Sequence, residues 1–277
     1  MSYGGWDDRG YGGGGFTLPR PTTAVKGLLI ANAAVALVQL VWSMSTGDDF
    51  ARPLGTDLDR FLSNPLMGLV SLVTYQFVHD ASGLGHLFVN MVVLYFFGIM
   101  VEQQLGTRRF LRLYLGCGVA GGLFWWMQGA LTGLADVPVV GASGATYGVL
   151  TYAAFMAPMA RVILVLFVVP LWVVAALFGS FAVYSWVRSF AFPTGGVAHA
   201  AHVGGALAGA GAWLLRARLA RLAQALRDRR SRRRFARRQA EEKRLDDILA
   251  RIKDVGVGGL SASDKRFLER RSRDRKD

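Results

Sequence analysis

The sequence predicts an all-α fold, a polytopic membrane helix bundle with six transmembrane helices and a short cytoplasmic α-hairpin at the C-terminus. Three observations predict it. The chain is 52% hydrophobic and only 18% charged over 277 residues, whereas a soluble domain of this size carries more charge. Its apolar residues gather in blocks close to the roughly 20 residues that a bilayer core requires per helix. Its arginines and lysines concentrate in alternate connections between those blocks, as cytoplasmic flanks demand.

The blocks fall at 25–44, 84–104, 110–131, 143–157, 162–187 and 199–215, the fourth short and the fifth long. Ahead of them, residues 1–23 begin MSYGGWDDRGYGGGGF, rich in Gly and Tyr and without an apolar run. That composition predicts a disordered tail and not a signal peptide. Residues 24–215 form the expected transmembrane domain. Arg9, Arg20 and Lys26 precede its first span, Arg108, Arg109 and Arg112 follow the second, and Arg161 follows the fourth. The alternate connections are poor in basic residues: 46–63 holds Asp48, Asp49, Asp57 and Asp59 against Arg52 and Arg60, 132–142 holds only Asp136, and 188–198 only Arg188. Both termini are therefore expected in the cytoplasm.

Residues 216–243 are expected as a polybasic juxtamembrane helix that continues the sixth span. Eleven arginines lie between Arg216 and Arg238 against the single acid Asp228, most of the formal charge of +13. Such a helix attracts anionic lipid, at about 1 kcal/mol per Arg near the surface. Nucleic-acid binding ranks behind it, since charge alone would support it and no aromatic stacking motif accompanies the arginines. Residues 244–277 predict a small helical hairpin: Leu245, Ile248, Leu249 and Ile252 share one face, Gly256 to Gly259 form the turn, and Ser261 with Asp264 suits a helix start.

Polar groups inside apolar spans mark function by default, and this chain has few. Its histidines are His79, His86, His199 and His202. His86 and Asn90, four residues apart, lie on one helix face, where interhelical hydrogen bonding is the plain alternative to chemistry. Ser143, in GASGATYG, is followed by Gly144 and Gly148, and His202, in AHVGGALAG, by Gly205 and Gly209. Small residues four apart let helix backbones approach closely, and both segments enter from the same boundary. Close helices would bring a hydroxyl to an imidazole, a nucleophile and its base, with His86, Asn90 and the Ser143 N–H available as oxyanion donors. No acid is placed to orient His202, since Asp136 is in a loop and Glu102 lies toward the far end of its span; Tyr147 can instead pack its ring on the imidazole. The single cysteine, Cys117, excludes an intrachain disulfide and a cysteine-based metal site, and no cofactor or metal is expected.

The stretch LVTYQFVHDASGLGHLFVNMVVLYFFGIMVEQQLG, then GASGATYG, then AHVGGALAG, in this order on these spans, resembles the rhomboid intramembrane serine proteases over residues 24–215. The resemblance implies that Ser143 is the nucleophile of the G-x-S-G motif opened by Gly141, and that His202, not His199, is the base. It implies His86 and Asn90 as the oxyanion pair, Tyr147 as the ring beside the base, and Glu102 as a structural acid. His79 matches a histidine of the loop after the first span. The loop 45–83 is then a lateral structure in the outer leaflet, and 188–198 a cap over the site. Substrates would be transmembrane proteins entering near the second and fifth spans, with the protein in a bacterial cytoplasmic membrane. This chain lacks a Trp-Arg pair that many relatives carry in the first loop, which leaves that loop's anchoring open. Two other readings remain: a catalytically silent rhomboid-like protein that binds client helices, and a channel or transporter, which would need a polar path that the inner halves of these spans do not offer.

Overall fold

The computed structural model describes residues 18–48, 51–79, 84–164, 167–191 and 199–273. Most of the expected N-terminal tail (1–17), parts of the first loop (49–50 and 80–83) and residues 192–198 of the expected cap lie outside the described residues.

Among the described residues four helices are long and apolar enough to cross a membrane: α1 (Thr23–Thr46), α5 (Leu84–Leu105), α6 (Thr107–Thr132) and α8 (Leu171–Ala191). The other two expected spans take a different form. Residues 143–157 give α7 (Ser143–Met156), only 14 residues long, which rises about 21 Å at 1.5 Å per residue and falls short of a hydrocarbon core of about 30 Å. It is the inner helix, with Ala145, Val149 and Ala153 fully buried. The sixth block opens α9 (His199–Val255), buried from Ala200 to Gly205.

The fifth expected span, 162–187, is corrected. It begins with an antiparallel hairpin, β1 (Arg161–Leu164) and β2 (Phe167–Pro170), in which Arg161 faces Pro170 and Leu164 faces Phe167. The helix starts only at Leu171. The reason lies in RVILVLFVVP: hydropathy alone does not separate an apolar strand from an apolar helix, β-branched residues favour the strand, and Pro170 is disfavoured within a helix interior but tolerated at its start.

Connections in this bundle are made by polar groups at its two ends. At the end away from Ser143, Glu102 accepts from the backbone N–H of Ala24 (2.9 Å) and of Val25 (3.0 Å) and from the hydroxyls of Thr22 and Thr107 (2.7 Å to the latter). One carboxylate thus caps the start of α1, whose own Thr22 supplies no side-chain cap, and reaches the start of α6. Gly106, at φ 76°, makes the tight turn between α5 and α6 that places Thr107 there.

At the other end the first loop folds into α2 (Ala51–Leu54), α3 (Leu58–Ser63) and α4 (Pro65–Thr74), followed by a 3-10 turn over Tyr75–Phe77. Its anchoring, left open by the sequence, runs through Thr56. Thr56 exchanges backbone hydrogen bonds with Val139 (3.0 and 2.9 Å), its hydroxyl meets that of Ser71 at 2.8 Å, and it accepts from the indole N–H of Trp126 at 3.0 Å. The Phe61 ring stacks on Trp126 with centroids 5.0 Å apart. Gln39 of α1 clasps the backbone of His79, donating to its carbonyl (2.8 Å) and accepting from its N–H (3.0 Å).

The chain divides into two compact units, one ending at Leu214 and the other beginning at Leu215. In the second, α9 is unbroken across residues 243 and 244 and runs to Val255, and α10 spans Ala262–Arg273. Ile248 and Leu260 are buried there, whereas Leu249, expected on the same face as Ile248, is exposed. Asp264 is the hub: its N–H and carboxylate both bond Ser261 Oγ (3.2 and 2.7 Å), and Arg244 and Arg251 each approach it to 3.4 Å. The Ser261 hydroxyl first, and then those guanidiniums, hold its carboxyl below the usual carboxylate value.

Orphaning buried donors costs about 1–3 kcal/mol each, so Glu102→Ala, which strips the acceptor from two backbone N–H groups and two hydroxyls, is expected to lower the thermal midpoint in detergent by several degrees. Glu102→Gln keeps one acceptor oxygen and is expected to fall between that variant and the wild type.

Candidate active site

Gly141 sets up the start of α7. Its N–H donates to Tyr75 O at 2.9 Å, and its φ of +122° is one that L side chains rarely adopt. A Cβ there would also lie 2.9 Å from His86 Cε1, 3.7 Å from His86 Nε2 and 3.7 Å from Ser143 Oγ. The absence of a side chain lets the His86 ring approach the Gly141 backbone closely, on the side where the Ser143 hydroxyl lies. Two residues on, α7 begins at Ser143 with no side-chain cap, so the first-turn N–H groups have no helical carbonyl to bond.

Ser143 Oγ lies 2.8 Å from His202 Nε2, and both residues are less than a tenth exposed. That contact fits a neutral imidazole carrying its proton on Nδ1, with Nε2 accepting from the hydroxyl. No protein partner meets Nδ1 among the described residues. The ring is held instead by Tyr147, one turn along α7, whose ring stacks on it at 4.3 Å with the planes 6° apart.

What brings the two helices this close is glycine. A Cβ on Gly205 would sit 1.9 Å from Gly144 O, and one on Gly209 would sit 2.1 Å from Gly148 O. On Gly148 a Cβ would meet Cys117 Sγ at 2.4 Å and Gly205 O at 2.8 Å. A second seam joins α9 to α6, where a Cβ on Gly121 would lie 2.7 Å from Ala201 O and one on Gly204 2.8 Å from Ala120 O. The sequence pattern carried the first seam; the second was missed, although GCGVAGG in α6 is equally rich in small residues.

His86 and Asn90 face this site from α5. Asn90 is buried; its Nδ2 donates to His86 O at 3.0 Å, and its Oδ1 accepts from the Thr146 hydroxyl at 2.9 Å. The His86 ring is exposed and lies 6.0 Å, centroid to centroid, from the buried ring of His79. His199 lies off the Ser143 contact, with its ring edge-on to Phe181 at 5.8 Å and 5.7 Å from that of His202. Thr146 is the residue that sequence reasoning missed. A threonine hydroxyl can bond a carbonyl of its own helix, so it raises no alarm in lipid as a histidine does. Among the described residues no three of His, Cys, Asp and Glu form a group able to hold a metal.

The Rhomboid domain family matches residues 67–218, more than half of the chain and the whole of this constellation. The chain belongs to the rhomboid family. It is similar to RHOMBOID-like protein 12, mitochondrial, of Arabidopsis thaliana, 30% identical over 203 residues, covering 68% of this chain and 57% of that one. It is also similar to Rhomboid protein 1, mitochondrial, of Saccharomyces cerevisiae, 35% identical over 142 residues, 50% of this chain and 40% of that one. A shorter match, 34% over 79 residues, is to Inactive RHOMBOID-like protein 8 of Arabidopsis thaliana, covering 28% of this chain and 20% of that one. The chain thus spans about half the length of the first two of these curated relatives.

The glycine seam of this rhomboid is open to direct test. Gly205→Ala places a methyl against a backbone carbonyl, and overpacking of this kind typically costs about 1–3 kcal/mol; its thermal midpoint in detergent is expected to drop. Gly179→Ala on α8, where nothing lies within 4 Å of the new Cβ, is expected to match or exceed the wild type.

Proposed function

We infer that this rhomboid is an intramembrane serine endopeptidase that hydrolyses peptide bonds of transmembrane protein substrates with the pair Ser143 and His202. The observation that carries the reading is the 2.8 Å contact between Ser143 Oγ and His202 Nε2 in a buried site. As Oγ attacks the scissile carbonyl carbon, its proton passes to Nε2, and the carbonyl oxygen becomes an oxyanion. Donors for that oxyanion would come from the Ser143 N–H, His86 and Asn90. Nε2–H then protonates the leaving amine, and the acyl group stays on Oγ. A water enters, gives a proton to Nε2, and attacks the ester; the second product leaves as a carboxylic acid and Oγ regains its proton. Tyr147, stacked on the imidazole, would keep its plane fixed through these proton transfers, the orienting part of the task an acid performs in a triad.

Two features of the chain extend the reading to its surroundings. The arginine-rich stretch of α9 would hold anionic lipid, since its charge complements a phosphate-bearing surface. Both termini would lie on the cytoplasmic side, where basic flanks concentrate, and a bacterial membrane would follow from the family resemblance alone, whereas RHOMBOID-like protein 12 and Rhomboid protein 1 are named as mitochondrial proteins.

The competing reading is a client-binding rhomboid without catalysis, favoured by the match to a relative named inactive. Reconstitution in vesicles of phosphatidylethanolamine and phosphatidylglycerol with a pool of labelled single-span peptides separates the two. Cleavage is expected with the wild type and with His199→Ala, and none with Ser143→Ala, His202→Ala or the double variant, because nucleophile and base act as a unit and their losses do not add. Peptides retained but uncut by the wild type would establish the client-binding reading instead. Loss of one oxyanion donor typically costs about 10² to 10³ in rate, so Asn90→Ala is expected to be slow but measurable in the same vesicles.

A further inference from the structure

We propose that Thr146 is a positioning residue for the reaction, orienting the Asn90 amide so that its N–H face, and not its carbonyl, is presented to the oxyanion. The proposal rests on the endopeptidase reading above. An asparagine amide has one accepting and one donating end, and a half-turn about its last torsion exchanges them. For an oxyanion the exchange is decisive, because a donor stabilises it and a carbonyl oxygen repels it.

In this site the choice is made by hydrogen bonds to both ends of the amide. The backbone carbonyl of His86 accepts from Nδ2 at 3.0 Å, and the Thr146 hydroxyl lies 2.9 Å from Oδ1. A carbonyl oxygen such as His86 O accepts only, so it prefers Nδ2. That preference alone is shared with the ordinary back-bonding of a polar side chain to its own helix, a contact that swings away readily. The hydroxyl of Thr146 comes from a different helix and donates its proton to Oδ1, so the two contacts together pin the amide from opposite sides. Nδ2 keeps a second N–H for the substrate.

The placement of Thr146 ties this orientation to the nucleophile. It stands one turn after Ser143 on α7, its N–H donates to Ala142 O at 3.0 Å, and its hydroxyl is also 3.1 Å from Ser143 O. A hydroxyl has one proton, and the shorter contact is the one to Asn90. Thr146 and Asn90 are both almost fully buried, at 2% and 4% exposure, so no bulk water takes over the bond when the hydroxyl is removed. The amide would then be free to turn, and part of the population would present oxygen to the developing charge.

The test uses the full chain in the vesicles described above, with the single-span peptide that the wild type cuts fastest. Thr146→Val keeps the shape and removes the proton; it is expected to lower kcat about tenfold, a fraction of the loss for deleting a donor outright, with KM unchanged. Thr146→Ser restores the hydroxyl without the methyl and is expected to recover most of kcat. In an Asn90→Ala background Thr146→Val is expected to have no further effect, since the group it orients is gone. Wild-type kcat in Thr146→Val, an equal loss in Thr146→Ser, or a full additional loss on top of Asn90→Ala would overturn the proposal and assign Thr146 to helix packing. Peptides left uncut by the wild type would instead overturn the endopeptidase reading, and cleavage surviving in Ser143→Ala would remove Ser143 as its nucleophile; either ends this proposal with it, so the failures are told apart.

Discussion

The contact on which the rest of this structure depends is the meeting of two helix backbones, α7 against α9, at Gly144 with Gly205 and at Gly148 with Gly209. In lipid no hydrophobic drive pushes helices together, because the solvent is as apolar as the side chains; close van der Waals contact and interhelical hydrogen bonds must do it. A glycine pair allows backbone atoms to touch, and the would-be Cβ of Gly205, 1.9 Å from Gly144 O, measures how complete that approach is. The same approach sets the position of Ser143 one residue before Gly144 and of His202 three residues before Gly205. Packing and chemistry therefore share one cause.

A bundle whose interior is so apolar needs its polar groups gathered where they can be satisfied, and they are gathered at its ends. Glu102 ties the starts of α1 and α6 at one end, and Thr56 ties the first loop to Trp126 and Val139 at the other. The loop is thus fixed without the Trp-Arg pair that many relatives use. Between the ends, α6, α7 and the first turns of α9 pack through glycine, and their buried backbones leave little room for adjustment.

The helix α8 is built differently. Only Leu171, Val174 and Ala182 of it are buried, and an apolar crevice of about 470 Å³, lined by Ala175 and Gly179 of α8, Phe155 of α7 and Ala206 of α9 among others, separates its middle from its neighbours. Its C-terminal end is held by the hydrogen bond from Gln128 of α6 to Ser189, 2.8 Å long. Few buried contacts put an element at the low end of local stability. The glycine-packed trio that carries Ser143 and His202 thus stands beside a helix with few residues buried against it.

The sequence by itself determined the helical membrane character of this protein and the identity of its polar residues in apolar surroundings. It did so because both are local properties: hydropathy over about 20 residues reports whether a segment prefers lipid, and a histidine or serine in such a segment is conspicuous wherever it points. The spacing of Gly205 and Gly209 after His202, and of Gly144 and Gly148 after Ser143, even foretold which helix faces are smooth enough to touch. Tertiary structure decided what those local properties leave open. It made RVILVLFVVP a hairpin in place of the first turns of a helix, since hydropathy has no term for strand pairing. It made Thr56 an anchor and set Thr146 against Asn90, because a hydroxyl's importance depends on what stands opposite it, 56 residues away in the latter pair. The 2.8 Å between Ser143 and His202 belongs to the second kind as well: each residue can be picked out in the sequence, but a hydrogen bond is made by two chain segments at once, and only the packed backbones bring its ends together.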